Sequence, residues 1–414
     1  MIEGTRSQNS RLIDSVVFES FLPYQALDLM ELYGLAKTDP VAMTLFALAL
    51  NPQMINFFNS QGMQVDRQST YFDRAIAMGA LEPRYFKAVT LVHGDDAKEV
   101  GIEALQLIEP LISRKHPPSL HAAAGIYKKN LGDLVTAEKY YLEAAELGSG
   151  QSYIDLAGMI LYNNSTRQSD IDRAISYYDT AIEKTQTKDA VRAAVRASFA
   201  EPQKFTTDKL VKLLLKHSER GDFDCSQAIL EVVSNDCAPT SVITPLILEH
   251  AMQLVKLRDH SIILALYGYI EKSGLSGLMS VDELISICGY IINDPFFEDR
   301  GKGNAAEVRG KIDLNGLSKD ANLERACKFF EFGEVNFNSG RCGRYYGYTL
   351  LKLGRYSEGL EKAVELMQEG DPESMALVGY CLLEGKGCPK DTAQGAAILQ
   401  QARQRGAKLG SPFA

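Results

Sequence analysis

The stretch SLHAAAGIYKKNLGDLVTAEKYYLEAAELGSGQSYIDLAGMILY runs from Ser119 to Tyr162. It reads as a helix, the short polar break KNLGD, a second helix, and the start of a third. In the first and third, a glycine sits amid apolar residues: Gly125 and, 33 residues later, Gly158. Glycine costs a helix about 1 kcal/mol relative to alanine, so a recurring one needs a structural reason. A missing Cβ that lets a partner helix come close is the natural one.

Outward from this stretch the same glycine recurs as Gly310 in AAEVRGKIDL, Gly347 in GRYYGYTLL and Gly379 in SMALVGYCLL, with spacings of 37 and 32 residues. A second small residue follows each one. These are Ala137, Ala174, Ala326, Gly359 and Ala396, at offsets of 12, 16, 16, 12 and 17. The two offset classes match a short loop, KNLGD, and longer loops such as NNSTRQSD, NGLSKDA and EGKGCPKD. Aromatic pairs lie three and four residues past the small position, at Tyr140–Tyr141, Tyr177–Tyr178 and Phe329–Phe330. At helical spacing such pairs fill the groove between neighbouring hairpins. One hairpin cannot bury its apolar face alone, whereas stacked hairpins share a continuous core. The expected fold is therefore all-α: a right-handed α-solenoid of stacked antiparallel helix hairpins, with a concave inner face.

These residues resemble the tetratricopeptide pattern, and more specifically the SEL-one-like repeat, a relative with a longer, glycine-containing loop. The last unit follows that order best, with Gly379, the loop glycines Gly385 and Gly387, the Lys390–Asp391 pair and Ala396. The unit at Gly310 keeps Lys319–Asp320 and Ala326 but has only Gly316 in its loop, and the unit at Gly158 has no loop glycine. Similarity covers roughly residues 100–190 and 305–410, about half the chain. The resemblance implies a non-enzymatic scaffold or adaptor; bacterial members include host-interaction proteins, signalling adaptors and periplasmic scaffolds of exopolysaccharide secretion. The cysteine-rich branch staples its repeats with disulfides, and that pattern is missing here. Cys342 sits near one such position without a partner at the end of the preceding helix.

The remaining segments divide the chain into N-terminal helices (1–65), repeats (66–200), degenerate repeats or a helical insert (201–304) and repeats again (305–414). FLPYQALDLMELYGLA and PVAMTLFALAL read as two helices. In EALQLIEPLISRKHPPSL, Ala104 precedes Ala137 by 33, which starts the array before residue 100. Gly268 and Gly289, 21 apart, break the period. NDPFFEDRGKGN (Asn293–Asn304) reads as a hinge or interaction loop presenting Phe296 and Phe297.

The net charge of −9 disfavours a phosphate backbone as partner, and the clusters Arg341, Arg344, Arg355 and Arg403, Arg405, Lys408 read as solvated helix faces. Apolar runs such as VAMTLFALAL are about half the length of a spanning helix. The polar N-terminus MIEGTRSQNSRLIDS lacks an apolar signal core. With seven cysteines and no C-x-x-C pair, the chain reads as cytoplasmic, or as periplasmic if a leader has been removed.

None of the six histidines forms a zinc-binding spacing, and no phosphate loop or G-x-S-x-G elbow occurs. His116 and His121 read as surface residues, and Asp95–Asp96 as a solvated turn. No catalytic, metal or cofactor residue is expected. The expected function is a scaffold that binds a protein or peptide on its concave face through Lys128, Arg341, Arg344, Tyr345, Lys352, Phe296 and Phe297. Alternatives are a ligand-sensing regulator with an enclosed apolar pocket in 201–304, and an exported secretion scaffold. The end AKLGSPFA offers no polar capping helix, which leaves a solenoid end able to form a homodimer.

Overall fold

The structure is a computed structural model that describes residues 19–24, 26–93, 96–162, 167–185, 187–235, 237–273 and 277–413. The polar N-terminus, Asp95 of the paired aspartates and part of the 163–170 loop lie outside the described residues. Among the described residues every regular element is helical, and no strand occurs. The chain forms two compact units, one up to Thr185 and one from Gln186 onward. That division falls inside the segment 66–200.

The first unit contains α1 (Leu29–Leu35), α2 (Pro40–Ala49), α3 (Pro52–Ser60), α4 (Gln68–Ala77), α5 (Glu82–Val92), α6 (Lys98–Ile112), α7 (Pro117–Lys129), α8 (Leu134–Glu146), α9 (Gly150–Tyr162) and α10 (Gln168–Thr185). FLPYQALDLMELYGLA is not one helix. A 3-10 helix, Glu19–Tyr24, holds Pro23, and α1 begins only after Asp28, whose side chain forms a capping box with Glu31. An interior proline breaks an α-helix, and the capping aspartate starts a new one. Helix α2 is apolar on nearly every side and is buried, with Phe46 packed against Tyr33, Phe58 and Tyr71 at 5.3–5.4 Å between ring centroids.

The second unit contains α11 (Lys188–Ala200), α12 (Thr207–Ser218), α13 (Phe223–Ser234), α14 (Pro245–Lys256), α15 (Ile262–Ser273), α16 (Val281–Asn293), α17 (Asp299–Leu314), α18 (Leu323–Phe337), α19 (Gly340–Lys352), α20 (Tyr356–Gln368), α21 (Pro372–Glu384) and α22 (Thr392–Gln404). Pairs α17–α18, α19–α20 and α21–α22 are hairpins. Helices α15, α17, α19 and α21 also touch in sequence order, forming one layer. The 293–304 segment is mostly not a loop: α17 takes Asp299–Asn304 into helix, leaving five residues as connection.

The small residues meet inside the hairpins in more than one way. A Cβ on Gly359 would lie 3.0 Å from the Gly347 carbonyl oxygen, and one on Gly395 would lie 2.9 Å from that of Gly379. Backbones therefore touch in the last two hairpins. At Gly310 the close neighbour is the Phe330 ring, which a Cβ at that position would meet at 2.5 Å. Gly125 and Gly158 have ordinary neighbours at 3.7 and 3.5 Å, so close approach does not explain them. With the first helix of each hairpin called helix A and the second helix B, the helix B residues Ala137, Ala174 and Ala326 are fully buried. Ala396 is exposed, and the position belongs to Gly395, whose offset of 16 from Gly379 matches the other long-loop hairpins. Neighbouring small residues lie about 100° apart around a helix, so only one of them faces the partner. An earlier hairpin uses two alanines, Ala88 and Ala104, both fully buried and also 16 apart.

Of each aromatic pair, the second member is core: Tyr141, Tyr178 and Phe330 are 4%, 2% and 0% exposed. The first members stand half-buried, Tyr140 stacked on Tyr127 and Phe329 under the Arg309 guanidinium. In the last two hairpins the same site, four residues past the small position, holds the buried residues Ala363 and Leu399. The loop of the last hairpin needs its glycines. Gly385 ends α21 in the left-handed conformation, and a Cβ on left-handed Gly387 would meet the Tyr356 carbonyl oxygen at 2.6 Å.

The glycines therefore separate under substitution. Gly125→Ala should raise the thermal midpoint, because it removes a helix penalty of about 1 kcal/mol without a clash. Gly395→Ala should lower it, since overpacking a helix contact costs about 1–3 kcal/mol. Equal effects at the two positions would contradict the contact geometry.

Candidate functional site

Helices α15, α17 and α19 present one side of their layer to a groove of about 390 Å³. Tyr267 and Glu271 come from α15, Lys311 and Asn315 from α17 and its end, and Tyr345, Tyr348 and Lys352 from α19. The wall is polar but organised. Glu271 accepts hydrogen bonds from the Tyr267 hydroxyl (2.8 Å) and the Asn315 amide (3.0 Å). The Lys311 Nζ lies 2.6 Å from Glu307, 4.5 Å from the Tyr345 ring centroid and 5.6 Å from that of Tyr267. Burial disfavours its charge, but Glu307 and the Tyr345 hydroxyl outweigh burial and raise its pKa. Burial also pushes the Tyr267 and Tyr348 phenols up, so they stay neutral hydrogen-bonding surfaces. Lys352 is exposed, its Nζ 5.8 Å from the Tyr348 ring centroid. Such a wall can stack on, hydrogen-bond and hold a peptide backbone or side chain.

The expected contact residues scatter. Tyr345 and Lys352 share this groove. Arg341 reaches the buried carboxylate of Glu307 at 3.5 Å, and Arg344 forms a two-pronged pair with Asp371, the N-cap of α21. Burial opposes the Asp371 charge, yet Arg344 and Ser374 hold its carboxyl below the usual range. Both arginines thus tie neighbouring hairpins together. Lys128 is exposed on α7 in the first unit. Phe296 is 74% exposed, with the Arg258 guanidinium 5.1 Å from its centroid. Phe297, expected beside it on the surface, is instead 4% exposed and packs edge-on against Tyr290 and beside Gly301, because the following turn already belongs to α17. Sequence reasoning missed Tyr267, Glu271, Lys311, Asn315 and Tyr348. A signal existed: Tyr267, Lys311 and Tyr348 each adjoin a helix-A glycine.

One constellation has the composition of a nucleophile triad. His121 Nδ1 lies 2.9 Å from Ser152 Oγ, and His121 Nε2 lies 3.4 Å from Asp155. Ser152 is fully buried and also donates to Ser149, so no substrate reaches its oxygen. The group ties α7 to α9, and His121 is half-buried rather than a surface residue. A second tie joins His250 Nδ1 to Ser226 at 2.7 Å and Ser226 to Ser218. Among the described residues no group of acidic, histidine or cysteine side chains could hold a metal. All seven cysteines are free, and burial pushes the Cys288 and Cys342 thiols up to about 12. In 201–304 a cavity lined by Leu248, Met252, Leu278 and Ile287 is an open groove. Among the described residues no single helix is long and apolar enough to cross a membrane.

Stacked helical hairpins with an organised groove on one layer define an all-α repeat array. More specifically, the chain carries three Sel1 repeats: the family model described as Sel1 repeat matches residues 124–149, 151–185 and 372–406. Sel1 repeats generally mediate protein–protein interactions, and the fold is typically a non-enzymatic scaffold. No curated protein matches the chain. Among solved structures, a protective antigen of uropathogenic Escherichia coli displaying an SLR fold is similar at 15% identity and a TM-score of 0.41, covering 91% of this chain and 79% of the antigen. A Sel1 repeat protein from Oxalobacter formigenes is similar at 15% identity and a TM-score of 0.41, covering 83% of this chain and 88% of that one.

The two histidine ties predict a pH response. Burial holds His250 below the ordinary histidine range, with Glu249 and Asp222 opposing and Phe223 and Ser226 packed against the ring. Burial lowers His121 as well, against Asp155. As pH falls through about 6.5, the unfolded chain binds protons that these rings refuse, and stability falls with it. The thermal midpoint should therefore drop between pH 7 and pH 5, and His250→Gln should shrink that drop. An unchanged pH dependence in the variant would sink this assignment.

Proposed function

We propose that the chain is a non-enzymatic scaffold that binds a segment of a protein partner in the groove of α15, α17 and α19. The observation that carries this reading is the groove wall itself. Three tyrosines, a committed lysine and a hydrogen-bonded carboxylate face one open surface on rigid helices. Solenoids bind through many modest contacts on a preformed surface, which keeps the ordering cost low. Aromatic side chains supply contact area with little conformational entropy to lose. The net charge of −9 supports a protein rather than a nucleic acid as partner.

The test is affinity capture from native lysate, with cross-linking and mass spectrometry to place the contacts. Tyr348→Ala combined with Lys352→Glu should reduce the captured partner at least about fivefold, the loss of one or two contact residues. Lys328→Glu on the exposed side of α18 should leave capture unchanged. Capture that ignores the groove substitutions would refute this site.

A further inference from the structure

Beyond α22 the chain does not begin another helix. It turns at Gly406 and runs back over its own helix layer as a non-helical segment, Ala407–Ser411, that ends in a turn at Pro412–Phe413. Its backbone is held by a side chain: the amides of Lys408 and Leu409 donate to the Glu373 carboxylate at 2.7–3.0 Å, in the first turn of α21. Leu409 enters the groove beside Tyr345, Tyr348 and Lys352. Four residues on, the Phe413 ring stands edge-on to Tyr356 at 5.9 Å. Leu409 and Phe413 both pack on the core of Leu351, Leu377, Val378 and Cys381. The solenoid end expected to lie open is thus accompanied by a strap that leaves it and covers the helix layer instead.

These contacts are of a kind that another chain can make. A carboxylate that accepts backbone amides reads no side chain, and the two anchors ask only for an apolar residue followed, four positions later, by an aromatic one. We propose that the surface of α19 and α21 is a docking site for an extended partner peptide with that spacing, and that residues 408–413 occupy it as an internal competitor. This deepens the scaffold reading and rests on it. Because the competitor is tethered, it acts at an effective concentration in the millimolar range. A partner must displace it, so its apparent affinity falls by the fraction of chains in which the site is open.

The test uses the full chain and a fluorescent peptide, RGAKLGSPF, copied from Arg405–Phe413. In the Leu409→Ser, Phe413→Ser chain the internal strap loses both anchors. Anisotropy should show saturable peptide binding at least about tenfold tighter than to the unsubstituted chain. Peptide carrying the same two serines should not bind, and adding Glu373→Ala to the open chain should weaken binding. A chain ending at Gly406 supplies the open form a second way if the double variant loses its helical circular dichroism. Equal peptide binding to open and unsubstituted chains overturns the proposal, as does no binding to a folded open chain at millimolar peptide. A concentration-dependent dimer of the unsubstituted chain that the two serines abolish would place the strap on a second copy and also overturn it. If partner capture still depends on Tyr348 and Lys352 after such a result, the scaffold reading stands alone. If capture never depended on them, that reading has failed separately.

Discussion

Two helices in a hairpin can close only where the residue between them carries little bulk, and the other features of each repeat follow from how that gap is filled. Where glycine faces glycine, as at Gly347–Gly359 and Gly379–Gly395, the backbones touch, and the site four residues on holds a modest apolar side chain, Ala363 or Leu399. Where alanine supplies the second position, a larger side chain sits four residues on: the rings of Tyr141, Tyr178 and Phe330, and Ile108 after Ala104. Bulk is exchanged between two positions on the same face of helix B, and packing density is kept near that of an interior.

Neighbouring hairpins in the second unit are then registered by charge. The fully buried carboxylate of Asp313 takes Arg309 from its own helix at 2.8 Å and Arg325 across the hairpin at 2.6 Å. Glu307, also buried, takes Lys311 from its own helix and Arg341 from the next hairpin. A buried carboxylate without a partner is costly, so these pairs discriminate against slipped stacking more than they add net stability. They also shape the groove. Lys311 is pinned between Glu307 and Tyr345, so this side of the groove is fixed by the protein's own contacts.

The repeat is legible in the sequence because its signal is local. Each recurring glycine makes its contacts within a single hairpin, each aromatic pair lies on a single helix, and their recurrence can be counted along the chain. The single slip, Ala396 for Gly395, comes from two adjacent small residues whose facing differs only by helix rotation. The groove is half legible. Tyr345 and Lys352 both line it, but Arg341 and Arg344 pair with carboxylates 34 and 27 residues away, Glu307 and Asp371. Pairings between stacked repeats depend on rise and rotation per repeat, which no single-sequence period encodes. Phe297 departs for a related reason: the stretch that holds it is mostly polar, but a helix starting two residues later turns it inward.

The two ways of closing a hairpin have a consequence for how such a chain can grow or be rebuilt. A unit such as α19–α20, with backbones in contact, and a unit such as α9–α10, with a ring four residues past its alanine, fill the same gap with bulk at different positions. A rebuilt hairpin therefore has to change its small position and the residue four places on together. Helices α17 and α18, with Gly310 against the Phe330 ring, are built in the ring form and stand immediately before the glycine-paired hairpins.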